Sequence, residues 1–238
     1  TGGNRGIGLA IATSLKAAGH RVVITYRSGT PPEGFDAVQM DVTSSESVDA
    51  GFSKIESEIG QPEIIVANAG ITKDGVLHKM TEENWHAVVE TNLTSCFNMC
   101  RAVINAMRER GFGRIINIIS TSVKQPLPNL GVSNTIRGAV ASWSKTLANE
   151  LGAFGITVNN VLPGATNTQR LTEIAKVKAD KTGESIAEIL AEMGQESPMK
   201  RIAEPEEVAA AVAFLASPAA SYINGINVPV DGGRTKSL

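Results

Sequence analysis

Glycines at positions 2, 6 and 8 of Thr1-Gly2-Gly3-Asn4-Arg5-Gly6-Ile7-Gly8 overlap the start of a helical apolar pattern, Ile7, Ile11 and Leu15. Glycines so placed let a turn adopt positive φ, let backbone approach a pyrophosphate closely, and let helix and strand pack tightly. The helix N-terminus then offers free N–H groups to phosphate oxygens. The expected ligand is a dinucleotide held by Gly2, Asn4, Arg5, Gly6, Ile7 and Gly8. A free ribose 2′-hydroxyl would require an acidic residue at the end of the second strand of such a unit. Here that strand ends Thr25-Tyr26-Arg27-Ser28. Arg27, with Arg5 in the turn, suits a 2′-phosphate instead, so the expected cofactor is NADP(H).

Positioning that turn requires strands and helices in alternation. Arg21–Tyr26, Ala37–Met40, Glu63–Ala67, Arg114–Ile119, Ile156–Leu162 and Asn227–Val230 predict strands, mostly apolar and therefore covered on both faces. Helices are expected from near Gly6, from Thr43 (with Glu46 at capping-box spacing), from about Thr81 to Arg110, from the Pro126–Pro128 loop to about Phe154, and from Pro205. This alternation predicts an α/β fold, a Rossmann-type doubly wound parallel sheet, in one domain over residues 1–238. The central strand expected ahead of Thr1 is absent, so the chain is expected to start a few residues inside the natural protein.

Composition excludes several classes. With 22 Lys+Arg against 24 Asp+Glu there is no basic footprint for nucleic acid. The longest apolar run, Val208 to Ala216, is far short of a membrane span, and with no basic start followed by an apolar stretch a signal peptide is not expected. His20, His78 and His86 are scattered, and Cys96 and Cys100 sit four apart on one helix face, so buried thiols are expected and a metal site is not. A soluble, cytoplasmic protein is the expectation.

Further motifs carry a family resemblance. TGxxxGIG at the start, Asn68-Ala69-Gly70 after a strand, Asp41-Val42, Asn92, Pro163-Gly164 with Thr166 and Thr168, and Asp231-Gly232-Gly233 together resemble the short-chain dehydrogenase/reductase family over essentially the whole chain. Residues 1–119 look most like the 3-oxoacyl-acyl-carrier-protein reductases. The resemblance implies that Asp41 and Val42 contact adenine, that Asn68, Ala69 and Gly70 bind the cofactor, that the Pro163–Thr168 element lies beside the nicotinamide, and that Asn92 serves structure and proton relay. It also implies fatty acid biosynthesis, a ketone or 3-oxoacyl thioester substrate, an acyl carrier protein as possible partner, and a homodimer or homotetramer.

The resemblance breaks at the catalytic positions. The family uses a serine, a tyrosine thirteen residues on, and a lysine four further. Ser120 stands at the serine position, but the others hold Ser133 and Arg137. The only tyrosines are Tyr26 and Tyr222. The catalytic set implied is thus Ser120, Asn92, Ser133 and Arg137, with Ser133 and Arg137 also at the cofactor. An aliphatic hydroxyl is a far weaker acid than a phenol, and arginine is a poor proton shuttle. A water ordered by these groups, or Lys124 in the following loop, is a candidate proton source. A catalytically silent, cofactor-binding subunit or sensor is the alternative. The break near residue 120 fits either a divergent enzyme or a chimera joined at about 117–122.

Residues 165–204 interrupt the alternation and are expected to form a small substrate lobe. Glu184, Glu188, Glu192 and Glu196 recur every fourth residue, with Ile186, Ile189, Leu190 and Met193 as the apolar face, in either a solvated cap or a mobile lid. Arg101, Arg108, Arg110 and Arg114 form a candidate basic face for an acidic carrier protein, or complement a helix dipole.

Overall fold

The computed structural model describes every residue except Asp74 and Leu238. Strands and helices alternate in the order α1 (Gly6–Ala17), β1 (Val23–Tyr26), β2 (Asp36–Gln39), α2 (Ser45–Glu58), β3 (Ile64–Ala67), α3 (Glu82–Val89), α4 (Ser95–Arg110), β4 (Gly113–Ile118), α5 (Gly131–Leu151), β5 (Ile156–Pro163), α6 (Gln169–Thr182), α7 (Ile186–Gln195), α8 (Pro205–Ala216) and β6 (Asn227–Val230). All strand pairs are parallel; helices carry the crossovers except between β1 and β2, which residues 27–35 join without a helix.

Alternation along β4 sorts the core into two layers. Ile115 packs with Val48 and Phe52 of α2, Met99, Val103 and Met107 of α4, and Ala148 and Leu151 of α5. Its neighbour Ile116 faces the other way, against Ile11 and Leu15 of α1 and Val208, Val212 and Leu215 of α8. Each of the buried Val, Leu, Ile, Phe and Met side chains among these contributes about 1.5–3 kcal/mol relative to exposure. Cys96 and Cys100 are buried free thiols in this core.

The six strands fall into two hydrogen-bonded groups, β1–β2 and β3–β4–β5–β6. Between β1 and β3 lies a cavity of about 310 Å³, lined by Ile11, Leu15, Ile24, Phe52, Ile55 and Ile65 among others. The first residues touch both edges: the Thr1 ammonium donates to the Val66 carbonyl at 2.8 Å, and Gly3 N–H donates to the Thr25 carbonyl at 3.2 Å.

Local details correct three boundaries. Ser44, not Thr43, caps α2, its Oγ accepting from Ser47 N–H, because the Thr43 hydroxyl is committed to Asp41. The Thr81–Arg110 helix is split by a π-helical turn at Glu90–Thr94 that buries Thr91 and Asn92. The helix after the proline loop leaves α-geometry at Leu151 and ends in a 3₁₀ turn, Gly152–Phe154. Pro205 does open α8, behind a capping box of Glu204 and Glu207.

Candidate active site

A cleft of about 780 Å³ opens at the carboxyl ends of the strands. The glycine-rich turn forms its floor, contributing Gly2, Asn4, Arg5, Gly6, Ile7 and Gly8. Gly2 and Gly6 have φ of 60° and 53°, which only glycine adopts freely. A Cβ at Gly8 would lie 2.2 Å from the Gly2 carbonyl oxygen and 2.5 Å from Asn68 Nδ2. The first turn of α1 carries no acidic residue and Arg5 makes no side-chain cap, so its N–H groups remain open to an anion. This bare cradle fits a pyrophosphate.

The turn is tied to the Asn68-Ala69-Gly70 segment. Asn68 Nδ2 donates to the carbonyls of Thr1 (2.9 Å) and Gly2 (3.2 Å), while the N–H groups of Asn68 and Ala69 donate to Thr1 Oγ1. At one end of the cleft Arg27 and Arg5 are exposed, and Asp41 and Val42 line the wall. Asp41 accepts from the N–H and hydroxyl of Thr43 at 3.0 and 2.8 Å. The Thr43 N–H bond, more than the nearby Arg27 charge, holds this carboxyl below its ordinary range.

At the other end, β4 delivers Ser120 and α5 delivers Ser133 and Arg137 to the same cleft. Ser120 Oγ accepts from Ser122 N–H at 3.1 Å, which leaves its own O–H to donate. Ser133 is 5 % exposed, and its hydroxyl has no protein partner among the described residues. Arg137 donates from Nη1 to the Ile118 carbonyl at 3.1 Å, and its Nε is buried without an acceptor. Burial lowers the Arg137 pKa from its ordinary value, but arginine stays charged at neutral pH. Pro163, Gly164 and Thr168 complete this end; a Cβ at Gly6 would lie 3.5 Å from the Thr168 methyl.

Two candidates lie behind the cleft rather than in it. Thr166 is buried, with its hydroxyl on the Gly164 carbonyl at 3.1 Å. Asn92 is also buried and outside the cleft lining, and both ends of its amide are bonded to the backbone of Ile71. Neither His78, which is exposed, nor Lys124 is part of the lining. Two residues outside the sequence motifs enter the site: Arg170 of α6, which donates to Thr72 Oγ1, and Thr72 itself. Met193 of α7 and Ile174 of α6 also reach the lining.

The charged faces expected from the sequence are largely spent on structure. Glu188 closes the capping box with Ser185, Glu192 pairs with Lys178 at 2.5 Å, and Glu196 pairs with Arg234. Arg101 pairs with Asp49 at 2.6 Å, Arg110 pairs with Glu63, and Arg108 stacks over Phe154. Arg114 is 4 % exposed, inside β4, and bonds the Gly113 and Gly155 carbonyls, so the four arginines do not form one basic surface. Among the described residues no cluster of His, Cys, Asp or Glu has a metal-binding arrangement, and no helix is long and apolar enough to cross a membrane.

A crevice at a glycine-rich turn in a doubly wound sheet is a dinucleotide site. Residues 2–235 match the family model described as Enoyl-(Acyl carrier protein) reductase, and the chain belongs to that short-chain dehydrogenase/reductase family. It is 38 % identical over 233 residues to the 3-oxoacyl-[acyl-carrier-protein] reductase MabA of Mycobacterium tuberculosis, covering 98 % of this chain and 90 % of that one. It is equally 38 % identical to the acetoacetyl-CoA reductase of Shinella zoogloeoides, over 98 % of this chain and 96 % of that one. Among solved structures, a single-residue variant of the actinorhodin polyketide ketoreductase with NADPH superposes with a TM-score of 0.95 at 32 % identity, covering 99 % of this chain and 95 % of that one. The L-sorbose reductase of Gluconobacter frateurii, complexed with NADPH and L-sorbose, gives 0.94 at 32 % identity, over 100 % and 95 %.

Proposed function

We propose that this chain is an NADP-dependent oxidoreductase that reduces a ketone, with a 3-oxoacyl thioester as the substrate form its relatives' names favour. The observation that carries the reading is the junction, in one cleft, of the pyrophosphate cradle with Ser120, Ser133 and Arg137. Arg5 and Arg27 hold the 2′-phosphate, Gly6 to Gly8 the pyrophosphate, Asp41 and Val42 the adenine. Arg137 stands in for the family's lysine and Ser133 for its tyrosine. NADPH, when bound, supplies the hydride.

The chain's own residues then handle the carbonyl oxygen. Ser120 donates its free O–H to that oxygen and fixes its direction. Ser133, too short to reach as a phenol would, holds a water beside it. That water gives its proton to the oxygen as negative charge develops, and solvent restores the proton. Arg137 keeps a positive charge next to the developing anion without losing a proton itself. Asn92 positions the Gly70–Thr72 backbone that closes this end.

The substrate lobe is assigned to residues 165–204, a cytoplasmic setting fits the two free thiols, and the working unit is a homodimer or homotetramer. Phe97 on α4, 54 % exposed, is an apolar group such an assembly would cover. Light scattering at micromolar concentration tests it, and a monomer would count against it. An acyl carrier protein partner rests on the thioester reading alone, since the four arginines do not make the basic face it would use.

The test of function is NADPH oxidation with an acetoacetyl thioester and a panel of ketones, alongside NADPH binding by fluorescence. Turnover is expected. Binding without turnover would favour the second reading, a silent cofactor-binding subunit, which the lack of a phenol at position 133 motivates.

A further inference from the structure

Two guanidinium groups share one short piece of backbone at the catalytic end of the cleft. Arg137 Nη2 reaches Gly70 so closely that a Cβ there would be 3.0 Å away. Arg170 donates to Thr72 Oγ1, two residues on. A tripeptide spans at most about 7 Å between its outer Cα atoms, so the two cations are neighbours. The repulsion is felt, because the charge of Arg170 acts to lower the Arg137 pKa, after burial itself. The tripeptide cannot swing away, since Asn92 clamps its middle residue, Ile71, through both N–H and carbonyl.

Among the described residues neither guanidinium has a carboxylate partner. Of the acids lining the cleft, Asp41 is bonded to Thr43 and Glu196 is paired with Arg234, while Glu173 makes no ion pair among the described residues. Each arginine has one protein acceptor and it is neutral, the Ile118 carbonyl or the Thr72 hydroxyl. Arg137 Nε is buried and unmet, and the Ser133 hydroxyl, in a 5 % exposed residue lining the cleft, is likewise unpartnered. Arg137 is largely buried while Arg170 is exposed at the cleft wall, and an anion that accepts from both guanidiniums offsets the cost of burying the Arg137 charge unpaired.

We infer that the Arg137–Arg170 pair binds an ionised carboxylate of the substrate, so that the ketone this cleft accepts belongs to a short oxo acid rather than to a neutral ketone or thioester. This rests on the ketone-reductase reading and replaces the thioester form of its substrate with a free acid. Arg170 is the specificity-determining residue; it does not touch the reacting carbonyl.

The experiment compares acetoacetate with methyl acetoacetate and acetoacetyl thioester, by turnover and by calorimetric binding to the NADPH-loaded protein. Acetoacetate is expected to bind at least about tenfold more tightly than its methyl ester, the scale of a hydrogen bond to a charged group. Arg170→Gln is expected to abolish that preference by raising KM for the acid, with kcat and NADPH affinity little changed, and Arg170→Lys to restore part of it. Equal binding of acid and ester by the unaltered protein overturns the inference. So does an Arg170→Gln variant that loses NADPH affinity while acid and ester fall together, which would assign the guanidinium to the cofactor. Reduction of the thioester but not the acid overturns the inference and leaves the reductase reading intact. Selective binding of the acid with no turnover of any ketone sustains the anion site and overturns the reductase reading.

Discussion

Asn92 grips Ile71 from both sides, its Oδ1 accepting the Ile71 N–H at 2.8 Å and its Nδ2 donating to the Ile71 carbonyl at 2.7 Å. The two residues are 21 apart in sequence, and the bond pair fixes the loop after β3 against the π-helical turn that carries Asn92. That loop is where Gly70 meets Arg137 and Thr72 meets Arg170. Asn92 therefore acts on the site through the backbone.

Asn92→Ala should leave two part-buried backbone groups of Ile71 without partners, a loss of about 2–6 kcal/mol at penalties of roughly 1–3 kcal/mol each. Urea unfolding measures the stability. At a temperature where the variant stays folded, turnover should fall more than NADPH affinity, because the loop borders the reacting end of the cleft. Asn92→Asp keeps the acceptor and loses the donor, so it should sit between the two. An Asn92→Ala variant of normal stability and turnover would remove the positioning role.

Arg27→Asp tests the choice of cofactor. Arg27 is exposed at the rim of the cleft, so its pairing with a 2′-phosphate is screened by solvent. A fall of about tenfold in NADPH affinity is expected, with NADH affinity unchanged or improved. Fluorescence titration with each nucleotide reads it, and equal losses would show that Arg27 serves folding instead.

The elements that position the site are legible in the sequence because burial on both faces writes near-continuous apolar runs, as in Arg114–Ile119 and Ile156–Leu162. The glycine-rich turn of the candidate cofactor site is legible too, since glycine adopts the Gly2 and Gly6 torsions without strain and a Cβ at Gly8 would overlap its neighbours. What stays hidden depends on long-range partners. Nothing near Arg114 signals that it is buried in β4 rather than part of a basic face; its bond to the Gly155 carbonyl joins residues 41 apart. Arg170 is invisible for the same reason: its meaning comes from Thr72, 98 residues away. The one local hint is its place two residues after Thr168. The Glu184–Glu196 series reads as a solvated face, yet Lys178 and Arg234 claim two of its members from other elements.

Glycine substitutions should change sign with position. At Gly8 an alanine methyl would overlap the Gly2 carbonyl, and a loss of about 2–3 kcal/mol or more is expected, together with NADPH binding. At Gly138, inside α5, a Cβ meets nothing within 4 Å. Gly138→Ala should stabilise by about 0.5–1 kcal/mol through the unfolded chain and helix propensity, leaving cofactor binding alone. Thermal melts of the two variants decide it.

Glu207 sets a measurable pH dependence. Two bonds from Arg201, both 2.6 Å, and then the Glu204 N–H draw its carboxyl down to about 2. Its folded pKa lies below the unfolded value of about 4.3, so folding favours the ionised form. The contribution is complete above about pH 5 and is lost as pH falls toward 2. Because the pair is exposed, the effect is small. The melting-point gap between the unaltered protein and Glu207→Gln should close over that window. A gap independent of pH would mean that the carboxylate is not the stabilising species.

The Ser133→Tyr, Arg137→Lys double variant tests the chemistry itself. A phenol at position 133 would regain both reach and an acid of pKa near 10, and a lysine ammonium at 137 would lower that pKa toward neutrality. If the serine and arginine merely fill those positions, ketone reduction should rise in the double variant and rise less in either single one, because the pair acts as a unit. The substitution at 137 also removes a guanidinium that bonds the Ile118 carbonyl and neighbours Arg170, so NADPH affinity and the acid-to-ester preference must be followed beside turnover. The two ideas then separate. A faster enzyme that has lost its preference for the acid shows Ser133 to be a deficit in proton donation and Arg137 to be part of the anion site. A slower enzyme with unchanged NADPH binding shows that the Ser133–Arg137 pair is the working catalytic arrangement, and that the water it holds is a better proton source here than a phenol would be.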